Sequence, residues 1–414
     1  MVAAATDRID LARGGAPLVI TPYIALIPCI MTVMVVRALS GHRANPISRD
    51  ARSGVFLMAG FIVLAMISVM AIGGDGLSTG RVLLLLALVV SAASIVWLAL
   101  TVDTAWTLRA AGWGLIAGSL VLDTLSLFSW LRFGTGHAVL LGPIDITAGS
   151  IGQDIPRLSG LSLDPNRGAF TAAVAVHLVV LEPLTSRFRM AVVSLAALFG
   201  SGLIVVASVS RSGAIAWLIC AIGAVVQAPR GRQRRRVAGA LMFASVTVVF
   251  VVARIISANG AIDLALVTNR LDLSEGTSGG EHLSLYRIAA ESIAAGPMQP
   301  WVGAGFGRSY LEVAEVFAGS TYGNFHSLYL TALVEMGIVG LVVILILVVA
   351  PTLSARRWLA LATVAFGVFY QSIMDPIFWF VISLLWIAGT TFDAGRSARE
   401  VDVSQNIRAR REET

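Results

Sequence analysis

Apolar runs alternate with short polar breaks along most of the chain, and the apolar positions follow neither a two-residue period nor an amphipathic stripe. The runs cover about 16–36, 54–72, 82–100, 110–128, 168–185, 190–209, 213–228, 237–256, 327–350, 357–374 and 376–392. Most approach or exceed the ~18 apolar residues that cross ~30 Å of hydrocarbon as a helix. A membrane β-barrel would need alternating strands instead. The pattern predicts an all-α polytopic membrane protein with about 11 (10–12) transmembrane helices and a large extracytoplasmic loop before the ninth. It divides into a disordered N-terminal tail (1–15), about eight helices (16–256) with an outer loop at 129–167, the large loop (257–326), about three helices (327–392) and a cytoplasmic C-terminal tail (393–414). The first apolar run is too long for a cleavable signal peptide.

Composition agrees. The chain is 57% hydrophobic and 13% charged, where a soluble domain carries about a quarter charged residues. All 30 basic residues are arginine, and their distribution sets the orientation. Arg230, Arg232, Arg234, Arg235 and Arg236 crowd into 229–236 and mark it as cytoplasmic. Alternation then gives the inner segments most of the arginines and places the C-terminus inside. The two long loops face outward, and 257–326 carries seven acids against Arg270, Arg287 and Arg308. No soluble basic domain exists to bind nucleic acid. Cys29 and Cys220 sit inside apolar runs, which excludes a disulfide framework or a cysteine metal site.

Several polar residues stand where lipid would make them costly. In Ser208-Val209-Ser210-Arg211-Ser212-Gly213, an arginine separates two apolar runs on the side that basic residues avoid. It either snorkels or binds an anion. Arg287 and Glu291 are four apart on an amphipathic segment and can simply pair. Gly303, Gly305 and Gly307 make a flexible turn whose amides suit an anion, without the strand and helix of a nucleotide fingerprint. His326 stands at the start of a helix that Asn324 or Ser327 can cap. It is either a proton acceptor or a structural interface residue. Glu335 lies inside that helix, near Gly337 and Gly340. Asp164-Pro165-Asn166 reads as a turn and helix start. Asp123, His177, Glu182 and Asp375 lie in or near spans, and no metal-ligand spacing, Gly-x-Ser-x-Gly elbow or phosphate loop occurs. Outward arginines beside a histidine at the membrane face suit a lipid diphosphate, because the guanidinium fork matches phosphate oxygens.

These residues resemble the O-antigen ligase and O-antigen polymerase superfamily of bacterial envelope proteins. The resemblance rests on Leu163-Asp164-Pro165-Asn166, Ser208–Gly213, Tyr286-Arg287, Gly303–Gly307, and His326-Ser327-Leu328-Tyr329-Leu330 leading to Glu335–Gly340. It covers about 163–340. It implies a cofactor-free, metal-independent, inverting glycosyltransferase of the cytoplasmic (inner) membrane with its active site on the extracytoplasmic face. The donor would be an undecaprenyl-diphosphate-linked glycan and the acceptor a hydroxyl of a glycan or lipid-glycan. Membrane lipids surround it, and chain-length or flippase proteins are candidate partners. Arg211 and Arg287 resemble the diphosphate-binding arginines and His326 the catalytic-loop histidine, with Asn166, Gly305 and Tyr329 as further substrate-site candidates. Ser327 replaces the asparagine of many relatives. Two rivals stand beside this: a peptidoglycan polymerase of the shape and division type, with Asp263 or Asp272 as its loop aspartate, and a lipid-linked glycan flippase. Ligases and polymerases share the motifs.

Overall fold

A computed structural model describes residues 2–11, 21–40, 49–71, 73, 76–99, 104–134, 137–151, 155–180, 187–227, 235, 238–239, 278–295, 299–309, 311, 313, 325–353 and 356–387. The expected span 237–256 (apart from 238–239), the stretch 257–277 with Asp263 and Asp272, Asn324, most of 229–236 and the tail 393–414 lie outside the described residues. The protein is mostly helical. The helices are α1 (Val2–Ala5), α2 (Pro22–Leu39), α3 (Arg49–Ala71), α4 (Gly76–Ala99), α5 (Thr104–Phe133), α6 (Pro165–Val180), α7 (Arg187–Ser208), α8 (Arg211–Gln227), α9 (Ser278–Ala294), α10 (Gln299–Val302), α11 (Leu328–Val349), α12 (Arg357–Phe369) and α13 (Pro376–Ile387). Stretches within α3, α4 and α5, and α11 with the 3-10 turn that follows it, are long and apolar enough to cross a membrane. Shorter apolar helices lie at the expected spans 16–36, 190–209, 213–228, 357–374 and 376–392, and α6 overlaps 168–185.

The core centres on α6, in which every residue from Gly168 to Val180 is buried. Around it stand α5, α7, α8 and α12. Lipid supplies no hydrophobic push between helices, so close approach of small residues provides the contact. A Cβ on Gly112 of α5 would lie 2.7 Å from the Val179 side chain and 2.9 Å from the Ala175 carbonyl of α6. A Cβ on Gly213 of α8 would lie 2.1 Å from the Ala169 Cβ. Phe170 of α6 stacks on Phe366 of α12, ring centroids 4.2 Å apart.

Two expectations change. The segment expected as a disordered tail is folded over residues 2–11. Ala5 and Arg8 are buried, and α1 packs against α2, α5 and α13. Its polar residues find partners in the bundle, which a count of Gly, Ala and charge does not reveal. The described residues of the segment expected as an outer loop, 129–167, begin as helix and go on to short strands. α5 runs on to Phe133, and then β1 (Leu140–Leu141) pairs with β2 (Ile144–Asp145) and β3 (Gly149–Ile151) with β4 (Ile155–Arg157), both antiparallel. The loop folds back on the bundle: the Leu158 amide donates to the Ala207 carbonyl at 2.9 Å and the Gly160 amide to the Asp123 carboxylate at 2.7 Å.

The other long loop enters the bundle too. α11 is broken at Gly337, whose backbone (φ 68°, ψ −168°) is not helical. A break inside an apolar helix strands carbonyls that must find donors. The Gly303–Gly307 turn supplies them. The Ala304 amide donates to the Val334 carbonyl at 2.6 Å and the Gly305 amide to the Glu335 carbonyl at 3.2 Å. The Ser68 hydroxyl of α3 reaches the same Glu335 carbonyl at 2.5 Å and accepts from the Phe306 amide at 3.1 Å. The fit allows no side chain at Gly303 or Gly337: each Cβ would stand 2.3 Å from backbone atoms of the other segment.

Candidate active site

At one end of the bundle the starts of α6, α8, α11 and α13 meet the end of α12. Asp164 caps α6, its Oδ1 accepting from the Asn166 and Arg167 amides at 2.7 and 3.2 Å. Pro165 takes the first helical position, where its missing N–H costs nothing. Ser210 caps α8 by accepting from the Gly213 amide at 3.1 Å. Its hydroxyl donates to Asn166 Oδ1 at 2.8 Å, tying the two helix starts together. Arg157 of β4 adds to the joint, with Nη2 on Asn166 Oδ1 at 3.2 Å and Nε on the Ser208 carbonyl at 2.9 Å. Val209, between the two serines, takes φ 49°. That left-handed backbone costs a β-branched residue on the order of 1–3 kcal/mol. Ser208 helps to hold it, accepting from the Ser210 amide at 3.2 Å. The result is Arg211 exposed at the first turn of α8, between buried Ser210 and Ser212. A cation at a helix N-terminus opposes the helix dipole, so an anion placed there gains from both the guanidinium and the positive end of the helix.

Arg167 links this corner to the next. It pairs with Asp7, with Asp375 at 2.7 Å, and reaches the Tyr370 hydroxyl at 3.5 Å. The Tyr370 carbonyl accepts from the Leu328 amide at 3.1 Å, at the start of α11. Ser327 caps α11, accepting from the Leu330 amide at 3.4 Å. His326 precedes the cap, half-buried, with φ 47°. Its side chain is thus set by a turn residue in left-handed conformation, not by the helix itself. Histidine enters that region more readily than most residues. A continuous chain of contacts, Arg211–Ser210–Asn166–Arg167–Tyr370–Leu328, therefore puts Arg211 and His326 at the same end of the molecule.

Arg287 is placed differently. α9 buries Leu285, Ile288 and Ala289 against Phe325, Leu330 and Val334 around the start of α11. Arg287 and Glu291 occupy the opposite, exposed face and pair at 3.7 Å. Such an exposed pair is worth little, ~0.3–0.5 kcal/mol. The Tyr329 hydroxyl donates to the Val364 carbonyl at 2.9 Å. Of the Gly303–Gly307 turn, the Ala304 and Gly305 amides go to carbonyls of α11, and the Gly307 backbone meets a carboxyl group of the chain itself. The Glu335 carboxylate accepts from the Ser309 amide at 3.2 Å and also bonds to the Gly307 backbone, with Arg81 nearby. Arg81 in turn donates to the Gly307 carbonyl. Among the described residues, no three His, Cys, Asp or Glu side chains group closely enough to hold a metal ion.

Arg157, Arg167, Tyr370 and the Asp7–Arg8 pair were not singled out from sequence. Arg167 had one signal: an arginine at the start of an apolar helix, on the side expected to face outward, needs a partner. Its partners lie 160 positions before it and 208 after it, counting from 7 to 167 and from 167 to 375, so spacing is silent about them.

Residues 195–345 match the family model described as O-antigen ligase. Over that stretch the chain is similar to the O-antigen ligase family, in line with the resemblance to the O-antigen ligase and polymerase superfamily. The match runs from within α7 into α11 and takes in Arg211, Arg287, the Gly303–Gly307 turn, His326 and Glu335. The matched stretch leaves Asn166, Arg167 and Asp375 outside its limits, although they complete the same end of the bundle. A comparison with curated proteins finds no match.

Proposed function

We propose that the protein is a membrane glycosyltransferase that moves a glycan from an undecaprenyl-diphosphate carrier to an acceptor hydroxyl at the extracytoplasmic face of the cytoplasmic membrane, as a ligase or polymerase. The observation that carries this reading is Arg211, exposed at a capped helix start that is fastened through Asn166 and Arg167 to the turn bearing His326, all within or beside an O-antigen ligase domain. Arg211 grips the diphosphate bidentately, as a planar fork can and an ammonium cannot. Arg287, on the exposed face of α9, exchanges its weak pairing with Glu291 for the donor. His326 takes the proton of the acceptor hydroxyl as its oxygen attacks the anomeric carbon. The bond from that carbon to the diphosphate breaks, the electron pair leaves with the carrier, and configuration inverts. The guanidinium groups stabilise the charge that develops there, so the mechanism needs no metal ion. Asn166, Gly305 and Tyr329 act as supports: each already bonds within the protein and holds a helix start or turn in place.

Arg211→Lys tests the reading. It keeps the charge and loses the fork, so transfer falls at least tenfold, the equivalent of about 1.4 kcal/mol, at an unchanged protein level. Wild-type turnover in Arg211→Lys removes Arg211 from the donor site.

The arrangement favours an enzyme over a flippase. The exposed cation and the histidine gather at one end of the bundle, whereas a path for a lipid-linked glycan would distribute polar groups along its length.

A further inference from the structure

The segment before α2 is built into the site's end of the bundle. Arg8 is 2% exposed. Its Nε donates to the Ser162 carbonyl at 2.7 Å, Nη1 to Ser126 Oγ at 2.7 Å and the Asp145 carbonyl at 3.2 Å, and Nη2 to Ser159 Oγ. Burial pulls Arg8 below its ordinary pKa, while Asp123, Asp145 and Asp7 pull it back up. A guanidinium so fully bonded fixes the segment against α5, the β1–β2 hairpin and the turn before α6. Backbone pairing adds to this: Ile9 bridges Ile144, the Asp10 amide donates to the Pro143 carbonyl at 3.1 Å, and the Asp145 amide to the Arg8 carbonyl at 2.8 Å.

Asp7 is the residue that reaches the site. One carboxylate oxygen accepts from the Leu163 amide at 2.6 Å, and the other from Arg167. Asp375 holds the same guanidinium from the far side at 2.7 Å. Arg167 thus sits between two carboxylates, and its backbone is part of the capped turn that presents Asn166 to Ser210. Losing the Asp7 charge leaves Arg167 to Asp375 and the Tyr370 hydroxyl on the far side, with nothing drawing it toward the Leu163 end of the turn.

We propose that residues Val2–Asp10 form a strap on the same side of the membrane as the transfer site, and that Asp7 is a positioning residue for donor binding. It acts through Arg167 and the Asp164–Gly168 turn on Asn166, Ser210 and Arg211. The positioning role rests on Arg211 as a diphosphate ligand; the sidedness does not.

Sidedness is tested in a Cys29→Ser, Cys220→Ser background carrying either Leu11→Cys or Ala290→Cys, both at exposed positions. A membrane-impermeant maleimide labels both in intact spheroplasts. Labelling of one and not the other overturns the strap. Labelling of both only after lysis keeps the strap and removes the extracytoplasmic assignment of the site. Positioning is tested with Asp7→Asn, which keeps an acceptor for the Leu163 amide and removes the charge facing Arg167. In the full chain in detergent, the KM for a polyprenyl-diphosphate glycan rises roughly tenfold, as for about 1.4 kcal/mol of lost binding. The kcat and the melting temperature hold, and Asp7→Asn raises the KM no further in an Arg167→Gln background, because Asp7 acts through Arg167. An unchanged KM with a lowered melting temperature overturns the positioning role, and so do independent, multiplying effects. If the wild-type protein transfers no glycan at all, the functional reading fails while the labelling still decides the strap.

Discussion

Gly303→Ala should unseat the turn that closes the break in α11. The added methyl would stand 2.3 Å from the Glu335 carbonyl carbon and 2.4 Å from both its oxygen and the Met336 nitrogen. Carbon atoms rest ~3.5–4.0 Å apart, so the two backbones must separate by about 1 Å. At that distance the Ala304 bond to Val334 and the Gly305 bond to Glu335 fail together, each at a cost of ~1–3 kcal/mol for a buried group left unpaired. The left-handed backbone at φ 76° adds ~1–2 kcal/mol for any residue with a Cβ. The total, about 3–8 kcal/mol, is comparable with the ~5–15 kcal/mol that holds a typical protein folded. Gly142→Ala is the matched control: φ 60° at a hairpin tip, with nothing within 4 Å of the added methyl. It carries only the backbone term. The assay is the fraction of detergent-solubilised protein that stays monodisperse by size exclusion after heating. Gly142→Ala should shift the midpoint by a few degrees, and Gly303→Ala by on the order of 10 °C or more, or yield little folded protein. Equal midpoints for the two variants would refute the close backbone contact between the turn and α11.

Arg287→Ala should reduce transfer strongly while Glu291→Ala leaves it nearly unchanged, because an exposed pair contributes ~0.3–0.5 kcal/mol; equal defects measured at equal protein level would assign Arg287 to a purely structural pairing. Turnover of purified protein should survive excess EDTA, since the guanidinium groups carry the leaving group's charge; loss with EDTA and recovery with magnesium would contradict this.

The membrane character of the chain and the positions of most helices were legible from hydropathy, because lipid forces long apolar runs and internally satisfied backbones. The helix starts were legible in part. Asp164-Pro165-Asn166 is a local cap signature, and Ser327 caps α11 as its position before the apolar run suggests. The Gly303–Gly307 turn spends its Ala304 and Gly305 amides on carbonyls of α11, and only its Gly307 backbone meets a carboxyl group. Glu335 supplies that group from a helix whose break at Gly337 no propensity marks, since glycine in a membrane helix more often signals close packing. Arg287 had two readings from its spacing to Glu291, and the pairing is present. The larger omission is the Arg8 and Arg167 web. Its partners come from four separate segments, and only folding brings Asp7, Ser126, Ser159 and Asp375 together. The supposed tail was read as disordered because its composition is polar and small, while its order comes from those distant partners.

In the proposed function this end of the bundle breaks a bond and does not merely carry a lipid across. Reconstituted protein in sealed vesicles, given a polyprenyl-diphosphate glycan and an acceptor, decides it by mass spectrometry of the lipid products. Wild-type protein should yield free polyprenyl diphosphate and a glycosylated acceptor, with His326→Ala slowed by roughly two to four orders of magnitude, as for loss of a general base, while still binding the donor. Donor recovered intact, changed only in the leaflet it occupies, would contradict it.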